Sequence, residues 1–141
     1  MADRLLAVDV GNSRTKFGLF EVVDLSSRRL PPCLRSAVAC DGGEIPWPDV
    51  RAWVEATDAV RGVVAGANPS GVQRVLDTWP AADWPAPLVV DRPFEQVLHV
   101  SLTAPEKVGV DRLLNAVAVN IVRDVDRPAV IVSTGTATTV D

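Results

Sequence analysis

The chain begins and ends with the same pattern, an apolar strand, a Gly-centred turn of small polar residues, and a second strand. The first copy reads LLAVDVGNSRTK and the second reads AVIVSTGTATTV, offset by 124 residues. A repeat constrains the fold strongly, because each copy is one unit of a repeated architecture. The alternative is a coincidence between two hairpins. If the repeat is real, residues 1–125 form one lobe, residues 126–141 begin a second, and the chain resembles a fragment of a two-lobe protein.

Strands alternate with helices between the two copies, which is typical of an α/β domain with a mixed sheet flanked by helices. The apolar patterns predict strands at 4–10, 15–21, 33–40, 61–65 and 87–91. They predict helices at 47–57, from an N-cap at Ser70 to about Thr78, and at 108–124. Residues 92–107 are predicted to be irregular, and residues 128–141 to form a strand, a turn and a strand. The tryptophans at 47, 53, 79 and 84 are expected in the core or covering it.

Composition excludes several classes of protein. With 14 Lys and Arg against 18 Asp and Glu, the net charge is −4, so a nucleic-acid partner is not expected. No apolar run approaches the roughly 20 residues that span a bilayer, and no secretory signal is present. Two cysteines make no disulfide framework, and the one histidine, His99, has no companions for a zinc site. We expect a cytoplasmic protein with no membrane partner.

The first cluster of polar residues follows the first strand, at residues 9–18. A tight turn at Gly11 exposes backbone N–H groups that can bind an anion, and Asn12, Ser13 and Lys16 add donors and a positive charge. Asp9 can hold Mg²⁺, usually through water. These residues predict a phosphate and metal cradle, and the competing interpretation is an ordinary hairpin turn. We expect residues 11–13 to form a turn at the end of the first two strands.

Two further clusters suit the same chemistry. Gly109, Asp111 and Arg112 open a helix, where Asp111 can accept a proton from a hydroxyl and Arg112 can bind a carboxylate. The competing interpretation is a helix-start acid beside an exposed arginine. The turn at residues 134–139 offers hydroxyls and amides to phosphate oxygens, although threonine also simply favours strands. We expect Asp9 and Asp111 to open onto one cleft, because metal-bound phosphate and hydroxyl must meet.

Taken together, the three clusters resemble the type III pantothenate kinase family, which also contains the Bvg accessory factor-like proteins. The family's D-x-G-N-T-x-x-x-x-G stands here at residues 9–18, its Pro-containing loop and G-x-D-R-x-x-N at 105–115, and its D-x-G-T-A-x-T-x-D at 133–141. The order and spacing of all three motifs agree over the whole chain. Three motifs in order are specific where one would be weak, and they support the repeat.

The resemblance implies an actin-like, ribonuclease H-like ATPase fold with nucleotide between two lobes. The implied reaction is ATP-dependent phosphorylation of the primary hydroxyl of pantothenate, the first step of coenzyme A biosynthesis. It implies that Asp111 is the general base, that Gly109 and Arg112 bind pantothenate with it, and that Asp9 organises Mg²⁺. Contacts to the ATP phosphates are implied for Asp9, Gly11, Asn12, Ser13, Lys16, Gly135 and Thr136. The family also uses a monovalent cation, K⁺ or NH₄⁺, and forms a homodimer.

Two residues depart from the family pattern. Ser13 replaces a threonine and keeps its hydroxyl. Ser133 replaces the aspartate of the cation and phosphate region, and a neutral side chain cannot supply that charge. The alternative function is therefore a non-catalytic, kinase-like regulator of the accessory-factor type, and a third is a related phosphotransferase with another hydroxyl substrate. The isolated chain is expected to be inactive, because it lacks an adenosine-binding segment.

Overall fold

A mixed sheet of five strands forms the centre of the computed structural model, which describes residues 3–22, 24, 26, 28–40, 42–54, 59–91 and 97–141. Its strands are β1 (Asp3–Val10), β2 (Arg14–Glu21), β3 (Cys33–Cys40), β4 (Ala59–Gly66) and β5 (Leu88–Val89), in the order β3-β2-β1-β4-β5. Strands β1, β2 and β3 pair antiparallel, whereas β4 is parallel to β1 and β5 is parallel to β4. The predicted strands are confirmed, with β4 longer and β5 shorter than expected.

One face of the sheet carries the core. Alternate residues of a strand point to opposite faces, and on β1 this buries Leu6, Val8 and Val10 while Asp9 is exposed. Helices α1 (Trp47–Ala52) and α2 (Pro69–Asp77) cover the buried face, with Val50 and Val75 in the same apolar cluster.

The four tryptophans lie in or against this cluster. Trp47 contacts Trp79 edge to face, with ring centroids 5.5 Å apart, and both pack beside Trp84. Trp79 and Trp84 are buried, and Trp47 and Trp53 are partly buried against the cluster. The prediction that these residues build or cover the core is confirmed.

The first two helices differ from the prediction at their ends. Asn68, not Ser70, is the N-cap of α2, and its side chain accepts a hydrogen bond from the Gly71 N–H at 3.1 Å. Pro69 explains the correction, because proline is favoured at the first helical position, so the residue before it, Asn68, becomes the cap two residues earlier than predicted. Ser70 lies inside the first turn and donates to Asn68. Helix α1 ends at Ala52 rather than at 57, and residues 55–58 lie outside the described part.

A third helix follows the irregular segment that the sequence predicts. Of the segment predicted to be irregular, residues 97–104 are irregular, a 3₁₀ turn spans Pro105–Lys107, and residues 92–96 lie outside the described part. Helix α3 runs over Val110–Val122, two residues shorter at each end than predicted. Helix α3 contacts β4, and its buried Leu113 lies outside the cluster beneath α1 and α2. The sheet is therefore flanked by helices. In the described part of the chain, no helix has the length and hydropathy needed to cross a bilayer.

The second copy of the repeat forms its own hairpin, β6 (Val132–Thr134) and β7 (Thr138–Val140), which pair antiparallel. Its strands and turn lie 124 residues after those of the first hairpin, as the repeat predicts. The pairing differs by one residue, because Val10 faces Thr15 in the first hairpin and Thr134 faces Thr138 in the second. The division into lobes at residues 125 and 126 stays a prediction.

Candidate active site

The first candidate element is the turn between β1 and β2. The Gly11 N–H donates to the Arg14 carbonyl at 2.9 Å, so residues 11–13 form the predicted turn. A Cβ on Gly11 would lie 3.0 Å from the oxygen of that carbonyl, closer than most Cβ contacts. This close approach favours glycine at position 11. Asn12 and Ser13 are exposed at the tip. The turn therefore presents polar groups to solvent at one end of the sheet.

Asp9 and Lys16 face each other across the two strands beside this turn. The Lys16 Nζ lies 3.5 Å from an Asp9 carboxylate oxygen, and the two side chains are 63% and 51% exposed. An ion pair this exposed contributes at most about 1 kcal/mol. Both charges therefore remain available to a ligand.

The donor set at Asp9 fits Mg²⁺ bound together with phosphate. In the described ranges, no three His, Cys, Asp or Glu side chains form a group that could hold a metal ion. Mg²⁺ needs no such cage, because it keeps several waters and takes one or two carboxylates plus substrate phosphates. The half-exposed Asp9 carboxylate can serve as that protein ligand.

A side-chain contact joins the turns of the two hairpins. The Ser13 and Thr136 hydroxyl oxygens lie 2.7 Å apart, and either can donate. A hydroxyl has one donor and two acceptor sites, so each retains capacity for a further partner. Both residues are exposed. The structure thus brings together two of the predicted phosphate-binding turns, although Ser13 and Thr136 are 123 positions apart.

Asp111 lies in the first turn of α3, where the helix dipole favours a carboxylate. Its side chain is exposed. A Cβ built on Gly109 would lie 2.5 Å from the Asp111 Oδ1, closer than real Cβ contacts. Glycine at position 109 therefore leaves the space that this carboxylate occupies.

Two side chains of α3 reach the second hairpin. Arg112 forms an ion pair with Asp141 through Nη2, and the Asn115 amide donates to the Ser133 hydroxyl at 3.3 Å. Asp141 and Asn115 belong to the motifs but were not among the predicted site residues. Asn115 lies three residues after Arg112 on the same helix face, which is a signal in the sequence. Asp141 shares a face with Ser133 only through the observed pairing of the two strands, so no local pattern in the sequence points to it.

The second hairpin is thus the element that joins the predicted clusters. It contacts the first turn through Ser13 and the start of α3 through Arg112. Asp9 lies beside the first turn and Asp111 lies at the start of α3. The described contacts link these two regions through the second hairpin, and none of them joins the Asp9 and Asp111 carboxylates directly. That both open onto one cleft stays a prediction.

Comparison with known proteins points to one family. A family profile described as type III pantothenate kinase matches residues 5–141, a range that includes all three motifs. The chain is 26% identical over 142 residues to a protein of Dehalococcoides mccartyi named type III pantothenate kinase. That similarity covers 100% of this chain and 54% of the relative. The chain therefore spans about half the length of this relative.

Proposed function

Because the chain belongs to the type III pantothenate kinase family, we propose that the full-length protein phosphorylates pantothenate with ATP. The product is 4'-phosphopantothenate, and the reaction is the first step of coenzyme A biosynthesis. One observation carries the proposal: the β6–β7 hairpin contacts both the first phosphate turn and the helix start that bears Asp111 and Arg112. Phosphoryl transfer depends mostly on positioning and charge stabilisation, so phosphates and acceptor must be held by connected elements.

The proposed architecture is the actin-like, ribonuclease H-like fold. Its first lobe is residues 1–125, and residues 126–141 form the first hairpin of the second. Two observations support it: the mixed sheet with three antiparallel strands followed by parallel ones, and the recurrence of strand, turn and strand 124 residues later. ATP would bind between the lobes. The 141-residue chain alone would show no turnover, because it spans about half of its relative.

The acceptor side of the reaction is assigned to the start of α3. Asp111 accepts the proton of the pantothenate hydroxyl as general base. This role suits an exposed carboxylate for which the neighbouring glycine, Gly109, leaves space. Arg112 binds the pantothenate carboxylate, for which a guanidinium has matching geometry. Gly109 belongs to the same substrate site because it leaves room for the Asp111 side chain.

The donor side is assigned to the two hairpin turns. The turns at Gly11 and Gly135 contact the phosphates of ATP, together with the side chains of Asn12, Ser13, Lys16 and Thr136. The Ser13–Thr136 contact supports this assignment, whereas the Gly11 and Gly135 N–H groups themselves donate to carbonyls within their own turns. Asp9 holds Mg²⁺. The metal, when bound with ATP, neutralises developing charge on the phosphate oxygens.

Ser133 fits a cation site poorly. The family has a carboxylate at this position, whereas here a neutral hydroxyl accepts a hydrogen bond from Asn115. A monovalent cation, K⁺ or NH₄⁺, is therefore proposed only from the resemblance to the family. A cytoplasmic homodimer is likewise proposed from the family alone.

Ser133 also favours the second candidate function, a kinase-like regulator without catalysis. A weakened cation and phosphate region would leave the fold and its surfaces intact while removing turnover. The two candidates differ in one property, because only the enzyme couples ATP cleavage to pantothenate.

A coupled assay of ADP release on a full-length version tests the proposal. The reaction contains Mg²⁺ and ATP, with and without pantothenate, in K⁺ and in Na⁺ buffers. We expect ADP release that requires pantothenate, and the isolated 141-residue chain serves as the negative control. A folded full-length protein that binds ATP yet releases no ADP with pantothenate in either buffer would contradict the proposal and support the regulator.

A further inference from the structure

The face of the second hairpin that meets α3 carries an ion pair with Arg112. By strand alternation, Ser133, Thr139 and Asp141 share this face. The Arg112 and Asp141 side chains are 39% and 21% exposed. The other ion pairs in the described part of the chain join side chains that are 49% to 81% exposed. The Arg112–Asp141 ion pair is thus the least exposed to solvent of these pairs.

The Arg112 guanidinium is held at one end only. Its Nη2 donates to Asp141, while its Nε is buried and has no hydrogen-bond partner among the described residues. Burying an unpaired N–H is unfavourable, so this conformation of the side chain needs compensation elsewhere. The described contact that compensates is the one with Asp141.

We propose that Asp141 is a positioning residue, which orients the Arg112 guanidinium toward the substrate carboxylate. This inference rests on the proposed function, since it takes Arg112 as the group that binds that carboxylate. A guanidinium is planar, so the ion pair at Nη2 restricts the directions in which its remaining N–H groups can point. Arg112 directly follows Asp111 in the helix, so the guanidinium and the proposed base belong to the same substrate site.

The same ion pair permits an opposite role, in which Asp141 competes with the substrate carboxylate and must release Arg112. The two roles predict opposite changes when the carboxylate is removed. Positioning predicts weaker binding of pantothenate to Asp141→Ala, and competition predicts tighter binding. Asp141→Asn keeps an oxygen that can accept from Nη2, so positioning also predicts partial rescue by asparagine.

The test measures kcat and KM of full-length wild type, Asp141→Ala and Asp141→Asn with pantothenate and with its uncharged amide. For Asp141→Ala we expect KM for pantothenate to rise about tenfold to a hundredfold. KM for ATP and kcat should change less than about threefold. The preference for the acid over the amide should fall, because only the acid needs an oriented guanidinium. Asp83→Ala, which removes the partner of Arg51 at 3.1 Å in an exposed ion pair, is the matched control.

A double-mutant cycle and a spectroscopic measurement complete the test. With Arg112→Ala as background, Asp141→Ala should add little further loss, because both changes act on the same contact. The Arg112 Nε–H resonance of ¹⁵N-labelled protein should broaden or exchange faster with solvent in Asp141→Ala. A lower KM for pantothenate, an unchanged preference for the acid, or an unchanged Arg112 resonance would overturn the proposal. A wild type without turnover of pantothenate contradicts the proposed function instead, and the resonance still decides whether Asp141 orients Arg112.

Discussion

Replacing Gly109 by alanine should inactivate the full-length protein while leaving it folded. The new Cβ would lie 2.5 Å from the Asp111 Oδ1. That oxygen ends an exposed, flexible side chain, so the carboxylate can rotate away instead of forcing the backbone apart. Gly109 has φ −60° and ψ 143°, a conformation that alanine adopts without strain. The substitution therefore moves the proposed base without disturbing the helix.

The expected changes in stability and rate differ widely. Replacing an N-cap glycine by alanine lowers the free energy of unfolding by about 1 kcal/mol. Alanine also lowers the entropy of the unfolded chain, which restores about 0.4–1 kcal/mol of that free energy. The thermal midpoint should therefore move by no more than about 2–4 °C. A displacement of a reacting group by about 1 Å can cost about a hundredfold in rate. We expect kcat to fall by at least that factor.

The assay is ADP release with pantothenate, measured beside the thermal midpoint for wild type, Gly109→Ala, Asp111→Asn and the double variant. If Gly109→Ala acts through the Asp111 carboxylate, the double variant should be no slower than Asp111→Asn alone. Wild-type kcat in Gly109→Ala, or independent losses that multiply in the double variant, would show that Gly109 does not act through the Asp111 carboxylate.

Three further predictions follow from single contacts. Asp111→Asn should lower kcat by about 10²–10⁴-fold with a nearly unchanged thermal midpoint, since a carboxylate at a helix start contributes about 0.3–1 kcal/mol; a folded variant with wild-type rate would remove Asp111 from the mechanism. Gly66→Ala should lower the thermal midpoint, because its Cβ would lie 2.2 Å from the backbone oxygen of Val10 and such overpacking costs about 1–3 kcal/mol or more. Gly135→Ala, with nothing nearer than 3.9 Å, is its control in calorimetry. Ser26 donates its hydroxyl and its backbone N–H to Asp24, which lowers the pKa of that carboxyl. Ser26→Ala should raise this pKa toward 3.8, seen by carboxyl ¹³C titration. Because the pKa of Asp24 is lower in the folded state than in the unfolded state, the ionised carboxyl stabilises the folded protein above the unfolded pKa. This stability is lost as the pH falls through the folded pKa. The variant should therefore lose less stability than wild type on acidification below about pH 4.

Local patterns in the sequence predicted most of the sheet, because period-two burial and Gly-centred turns depend on neighbouring residues. The strand at Cys33–Cys40 has the bounds that were predicted, and the residues 11–13 form the turn that Gly11 implied. The N-cap predicted at Ser70 was wrong because Pro69 occupies the first helical position and leaves Asn68 as the cap. The predicted end of α1 at residue 57 was wrong, because Trp53 and Val54 continue the apolar pattern in a turn and not in the helix.

The site was predictable as separate clusters but not as contacts between them. The motifs named Ser13, Thr136 and Arg112, yet the contacts of the second hairpin with the first turn and with α3 are tertiary. Asp141 was missed for this reason, since its partner lies 29 positions away. The one-residue difference in pairing between the hairpins was equally hidden, because a repeat in sequence does not fix strand register.

We propose that the full-length protein transfers a phosphoryl group from ATP to the primary hydroxyl of pantothenate with Asp111 as base. Phosphorus NMR of a reaction mixture tests it most directly, because it identifies the ester that forms. We expect a new phosphomonoester resonance, coupled to the two protons of the primary carbinol, that forms with wild type and is strongly reduced with folded Asp111→Asn. Release of inorganic phosphate alone, an ester on the secondary hydroxyl, or equal product from both proteins would contradict it.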